Sequence, residues 1–306
     1  MRNTFANTFF ETAQADKRLC AVVADISPAG SMSKFREKFP DRFINTGVAE
    51  QIMIGMVAGM ALRGLRPFAY TIATFALFRP YEFVRDDLCY QNLPVTVVGI
   101  GGGVNYSTLG ATHHAMEDVS LASTLPNMQV LAPCDPAEAR EATLWCCREN
   151  SGPLYLRLAR AGEPNLTVKA IEPWRFGKLR YLRRGTDICL VSYGAVTKIA
   201  VAVADALEQQ GQSVSVVSAH TLKPFDVAGT RDAFVRHKRI AVIEEMLPNG
   251  GLASRVKQLA WDEKAPCRVD AFTLKDEFIH CYGSYDQLLA AHGLTADRIL
   301  SQLCTS

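Results

Sequence analysis

Apolar and polar positions in this chain fall into blocks, and each block has the length of a strand or of a helix. Short apolar runs at 20–24, 67–70, 95–99, 129–131 and 154–156, bounded by polar or turn residues, predict buried strands. Between them, 49–63, 80–90 and 136–149 have helical length and spacing. After Gly- and Pro-bearing text at 161–164 and Glu172-Pro173, the alternation restarts. Strands are predicted at 188–192, 214–218 and 239–244, a helix at 196–210, and a further helix opening at Gly250-Gly251. Strands alternating with helices predict an α/β fold of parallel sheets covered on both faces. The chain therefore reads as two three-layer α/β domains with mixed pairing at the sheet edges. They occupy 1–165 and 181–306, joined by a linker at 166–180.

One helix breaks the usual amphipathic rule. After the turn signal Asn45-Thr46-Gly47, residues 52–62 are apolar on every side, which predicts complete burial. Its single acid, Glu50, stands in the first turn. Two uses fit an acid there. It can favour the positive end of the helix dipole, or it can be received by a specific group in a dry interior, where an unpaired carboxylate is costly. A reciprocal capping box is excluded, because the position three residues earlier is Gly47.

The bulk composition narrows the partners. The chain has 306 residues, 48% of them apolar and 21% charged, enough for two full cores without disordered composition. A net charge of +2 points to neither nucleic acid nor an anionic membrane. No apolar run reads as a membrane span, and the Met1-Arg2-Asn3 start lacks the apolar core of a secretory signal. Nine cysteines without a Cys-x-x-Cys pair are expected to be reduced thiols of a cytoplasmic protein.

Parallel sheets place their chemistry at the carboxyl ends of strands, which directs attention to 25–31, 71–81, 99–114 and 157–160. In the second of these, Phe75, Phe78 and Tyr81 recur at steps of three. Such a stripe serves core packing or stacks a flat heterocycle. In the third, glycines 101–103 lack dinucleotide-fingerprint spacing, and His113 is a candidate proton donor to a substrate oxygen. Adjacent His113 and His114 point apart, so no metal site is assigned to them with Glu117. In the fourth, one of Arg157 and Arg160 is placed to fork onto an anionic substrate group.

Taken together, 43–50, Pro67-Phe68, Thr74-Phe75-x-x-Phe78-x-x-Tyr81, 110–114 and 157–160 resemble the pyrimidine-binding domain of transketolases. The second half, through 218–226, 242–244 with Gly250-Gly251, and 283–289, resembles the transketolase C-terminal domain. The resemblance implies a thiamine diphosphate enzyme supplied as separate chains. Glu50 would meet the aminopyrimidine ring nitrogen, Phe78 would stack on that ring, Phe75 and Tyr81 would complete its pocket, and Asp25 would lie near the cofactor. His113 would contact substrate oxygens, while Arg160 would hold a sugar phosphate. Gly55 and Gly59 would allow close approach at a subunit interface. The family's Gly-Asp-Gly diphosphate signature is missing, so a partner chain would supply the diphosphate site with Mg2+ or Ca2+, in a heterotetramer with two copies of each chain.

The same resemblance shows departures. Leu109 stands where the family has an aspartate, a glycine of 101–103 replaces a histidine, and Ser31 substitutes for a phosphate-contacting serine aligned near Ala29. Transfer of a two-carbon ketol unit between sugars is the expected reaction. A deoxyxylulose-phosphate synthase, a 2-oxoacid dehydrogenase beta subunit and a non-catalytic scaffold are the alternatives.

Overall fold

The computed structural model describes residues 1–26, 31–160, 162–168 and 170–305. Twelve strands are seen among them: β1 (Leu19–Val23), β2 (Phe43–Asn45), β3 (Arg66–Ile72), β4 (Thr96–Ile100), β5 (Gln129–Leu131), β6 (Leu154–Leu158), β7 (Arg180–Arg183), β8 (Ile188–Ser192), β9 (Val214–Ser218), β10 (Thr221–Lys223), β11 (Arg239–Ile243) and β12 (Arg268–Phe272). They build a seven-stranded sheet in the order β10-β5-β6-β4-β3-β1-β2 and a five-stranded sheet in the order β12-β11-β8-β9-β7. All pairings are parallel except β10 with β5 and β7 with β9, so antiparallel strands occur at sheet edges, as expected. The central strands β1, β4, β6, β8 and β9 are buried along their whole length, which is why they read as unbroken apolar runs.

One strand crosses the division that composition suggested. β10 comes from the second half yet pairs with β5 in the first sheet, Thr221 opposite Leu131. The two halves are therefore stitched by backbone hydrogen bonds as well as by packing. Helix Arg2–Ala15 covers one face of the first sheet with Phe5 and Phe9, whose rings lie 5.8 and 4.8 Å from Tyr70 and Phe68 of β3. Helix Glu50–Leu62 lies in the layer on the opposite face, where Met53, Ile54, Val57 and Ala58 are buried.

That helix corrects one expectation. It is buried on one side only: Ile52 and Leu62 are 62% and 63% exposed, Gly59 opens to free space, and Val48 just before the helix is 71% exposed. A helix apolar all round carries more apolar surface than one chain can cover. The stretch 80–90 also differs, since a short helix Tyr81–Phe83 widens into a π-helix over Val84–Tyr90.

Six of the nine cysteines are buried, Cys267 is half-buried, and all nine are free thiols, with Cys281 and Cys304 exposed. Burial pushes Cys20, Cys89 and Cys147 up to about 12, which leaves them chemically quiet. No helix among the described residues is long and apolar enough to cross a membrane.

Candidate active site

Glu50 opens its helix but does not cap it. The helix start has no side-chain cap, and the Glu50 carboxylate, 2% exposed, instead accepts from Arg79 Nη1 at 2.8 Å. The turn before it is set by Asn45, whose Oδ1 accepts from the N–H groups of Gly47 and Asp25 at 3.0 and 3.1 Å. Gly47 takes φ +71°, a conformation glycine adopts without strain. Asp25 is exposed at the end of β1 with φ +43°. The Ser31 side chain lies outside the described residues, as do residues 27–30.

Contacts run outward from Glu50 across the carboxyl ends of the first sheet. The Arg79 guanidinium lies 4.8 Å from the Phe75 ring centre. Phe75 meets the His113 imidazole edge-on at 5.3 Å, and His113 meets Tyr106 at 6.3 Å. Arg160, at the end of β6, lies 5.4 Å from the Tyr106 ring. The fold thus brings Glu50, Phe75, His113 and Arg160 into one row, from four segments far apart in sequence. Arg79 and Tyr106 are the links that spacing did not reveal. Arg79 does sit inside the aromatic stripe, and a cation among aromatics beside a buried acid is the signal that marks it.

The other candidates divide. Phe78 is half-buried and packs on the core that holds Met53, Ile54 and Val57. Tyr81 is tied to the helix Asp118–Thr124, its hydroxyl donating to Leu121 O at 3.0 Å and lying 2.8 Å from Thr124 Oγ1. Of the two arginines, Arg160 is exposed, whereas Arg157 is buried and ion-paired to Asp118 at 2.9 Å. Arg157 is a structural residue.

Burial lowers the His113 imidazole below its ordinary 6.5, which favours a neutral ring able to accept or donate. Thr112 Oγ1 lies 3.0 Å from its Nδ1. Burial lowers His114 as well, helped by His292 and His113, and neither ring nitrogen of His114 has a partner within the chain. Among the described residues no group of three or more His, Cys, Asp or Glu is placed to hold a metal ion. Beside Arg160 lies a cavity of about 240 Å³ lined by Asn105, Ser107 and Lys198 among others.

Both halves of the chain match known families. Residues 1–163 match the family described as "Transketolase, pyrimidine binding domain", and residues 177–299 match "Transketolase, C-terminal domain". The chain belongs to the transketolase family. It is 30% identical over 298 residues to one subunit of the apulose-4-phosphate transketolase of Phocaeicola vulgatus, covering 97% of this chain and 94% of that protein. It is 32% identical over 302 residues to a 1-deoxy-D-xylulose-5-phosphate synthase of Bacillus cereus, covering 98% of this chain and 48% of that protein, so it spans about half the length of the synthase. A solved structure described as a split gene transketolase, inactive beta4 tetramer, superposes with a TM-score of 0.89 at 32% identity, covering 99% of this chain and 97% of that one.

Transketolases depend on thiamine diphosphate, whose pyrimidine offers a flat ring, a ring nitrogen and an amine. The buried Glu50 carboxylate and the half-buried Phe75 and Phe78 rings match that set, and the buried Thr74 hydroxyl has no partner within the chain. The residues present fit the pyrimidine end of the cofactor.

Proposed function

We propose that this chain is the pyrimidine-side subunit of a two-chain transketolase that moves a two-carbon ketol unit between sugars or sugar phosphates. Residues 1–165 serve as the pyrimidine-binding domain and 181–306 as the C-terminal domain, joined by 166–180. A separate chain with the Gly-Asp-Gly signature supplies the diphosphate site and its Mg2+ or Ca2+, and two copies of each chain assemble in the cytoplasm. The observation that carries this reading is a buried acid, Glu50, on a helix whose outer side keeps Ile52 and Leu62 exposed. Such a face calls for another chain.

Thiamine diphosphate supplies a carbon nucleophile and electron sink when bound. This chain's part would be to hold the ring against Phe78, with Phe75 and Tyr81 around it and Asp25 nearby, and to share a proton between the Glu50 carboxyl group and the ring nitrogen. For that, Arg79 must release the carboxylate it holds in the free chain. Neutral His113 serves substrate oxygens and moves protons at them, and Arg160, beside the cavity it lines, receives an anionic end. Ser31 is assigned to the same end. Similarity to a protein named for apulose-4-phosphate supports a phosphorylated sugar. Leu109, 47% exposed where the family has an acid, supports a sugar other than the usual pentose phosphates.

The synthase similarity gives a second reading, in which pyruvate is the donor. The two separate when the reconstituted complex is offered a ketose or pyruvate: carbon dioxide release from pyruvate selects the second. Glu50→Ala is expected to lower turnover by several orders of magnitude, and unchanged turnover overturns both. The isolated chain should bind thiamine diphosphate poorly by calorimetry. Tight binding without the partner rules out the shared site.

A further inference from the structure

The loop that carries His113 is closed by a narrow neck. Gly103 and Ala115 exchange both backbone hydrogen bonds, Gly103 N–H to Ala115 O at 2.9 Å and Ala115 N–H to Gly103 O at 2.8 Å. His113 lies two residues from that neck. The second half of the chain grips the neck through Glu245, which is fully buried. Its Oε1 accepts from Val104 N–H at 2.6 Å and its Oε2 from the Tyr285 hydroxyl at 2.9 Å. The fit leaves no room, since a Cβ on Gly103 would come within 2.2 Å of Glu245 Oε1. Arg157 Nη2 donates to the Glu245 carbonyl at 3.4 Å, Leu247 N–H donates to Met116 O at 3.1 Å, and Ser120 Oγ donates to Asn249 O at 2.9 Å. An apolar seam would hold the halves together at less electrostatic cost than a buried carboxylate. What the carboxylate adds is direction, because it fixes one N–H at the mouth of the loop.

We propose that Glu245 is a positioning residue for His113, and that the second half of the chain acts as the mould of the histidine loop. The role rests on reading His113 as the substrate-facing histidine. The charged and titratable groups around Glu245 are Arg157 from β6, Asp118 from the helix Asp118–Thr124, and Tyr285 from the helix Tyr285–Ala291.

Hydrogen exchange on the full chain tests the grip directly. Glu245→Ala should speed exchange of the 103–116 amides about tenfold or more, the size expected for leaving a buried N–H donor unpaired. In the reconstituted complex it should lower kcat by a similar factor and shift the His113 titration seen by NMR. Glu245→Gln keeps an oxygen for Val104 N–H and should restore most of both. A purely structural role would instead speed exchange throughout the seam and leave the His113 titration in place. Exchange at 103–116 within about twofold of wild type overturns the grip. Faster exchange with unchanged kcat and unchanged His113 titration overturns the positioning role. Should Glu245→Ala not fold, Tyr285→Phe decides: it removes one donor to the same carboxylate, and unchanged exchange at 103–116 then counts against the proposal. The exchange arm needs no substrate, so a wild-type complex that fails to transfer ketol units would overturn the functional reading and leave the grip standing.

Discussion

Asp118→Ala probes the joint on which the site's geometry depends. Asp118 is fully buried, and its carboxylate accepts from Arg157 Nε at 2.9 and 3.2 Å, from the Tyr155 hydroxyl at 2.9 Å and from Val119 N–H at 2.8 Å. Arg157 is itself only 4% exposed. Removing the acid takes away the carboxylate hydrogen-bonded to a buried guanidinium and leaves only Glu245 as a nearby acid, which costs about 3–5 kcal/mol. The orphaned Tyr155 hydroxyl adds about 1–3 kcal/mol. Both donors share Oδ2, so the two losses overlap, and about 4–6 kcal/mol is expected in total. That is a large part of the roughly 5–15 kcal/mol that holds a typical domain folded. Calorimetry should therefore show a fall in melting temperature of about 6–9 °C for a chain of 306 residues. Asp205→Ala is the control. It removes a partner of Arg183 at 2.5 Å whose side chain is 54% exposed, and Arg183 keeps Glu208 at 3.3 Å. That loss should stay under about 1 kcal/mol. If Asp118→Ala melted within about 2 °C of wild type, the cost assigned to a buried guanidinium without that carboxylate would be refuted.

Three further outcomes follow from the same geometry. Burial pushes the Glu245 carboxyl up from its ordinary 4.5 to about 7. The folded chain then binds more protons than the unfolded one, so this group's contribution is present below about pH 4.5 and is lost as pH rises towards 7; Glu245→Gln should flatten that part of the stability curve by up to about 3 kcal/mol, and a wild-type-minus-variant difference constant from about pH 5 to 7 counts against it. Arg79→Ala should destabilise the free chain by about 1–3 kcal/mol, discounted because Arg79 is 41% exposed, and adding Glu50→Gln should recover most of that loss in denaturant melts; additive losses would mean the two side chains are not coupled. Ile52→Lys with Leu62→Lys should leave single-chain stability within about 0.5 kcal/mol while weakening self-association in sedimentation experiments, and unaltered assembly would place the contact between chains elsewhere.

The strands that the sequence shows are those buried on both faces, such as β4 and β8, because complete burial forces an unbroken apolar run. Strands β2, β7, β10 and β12 escape that reading: they are short, half-exposed or at an edge, so no local pattern separates them from loop. Glu50, Phe75, His113 and Arg160 are legible because each lies at a strand end or helix start with an unusual residue for its setting. Their partners are not. Arg79 lies 29 residues from Glu50, and Glu245 lies 141 from Val104. Periodicity reports which face of an element leaves water, and so determines which elements form and which side they bury. It carries nothing about which side chains from other elements arrive there. Sheet order and the insertion of β10 into the first sheet decided that, and through them the ion pair on Glu50 and the carboxylate at the neck of the histidine loop.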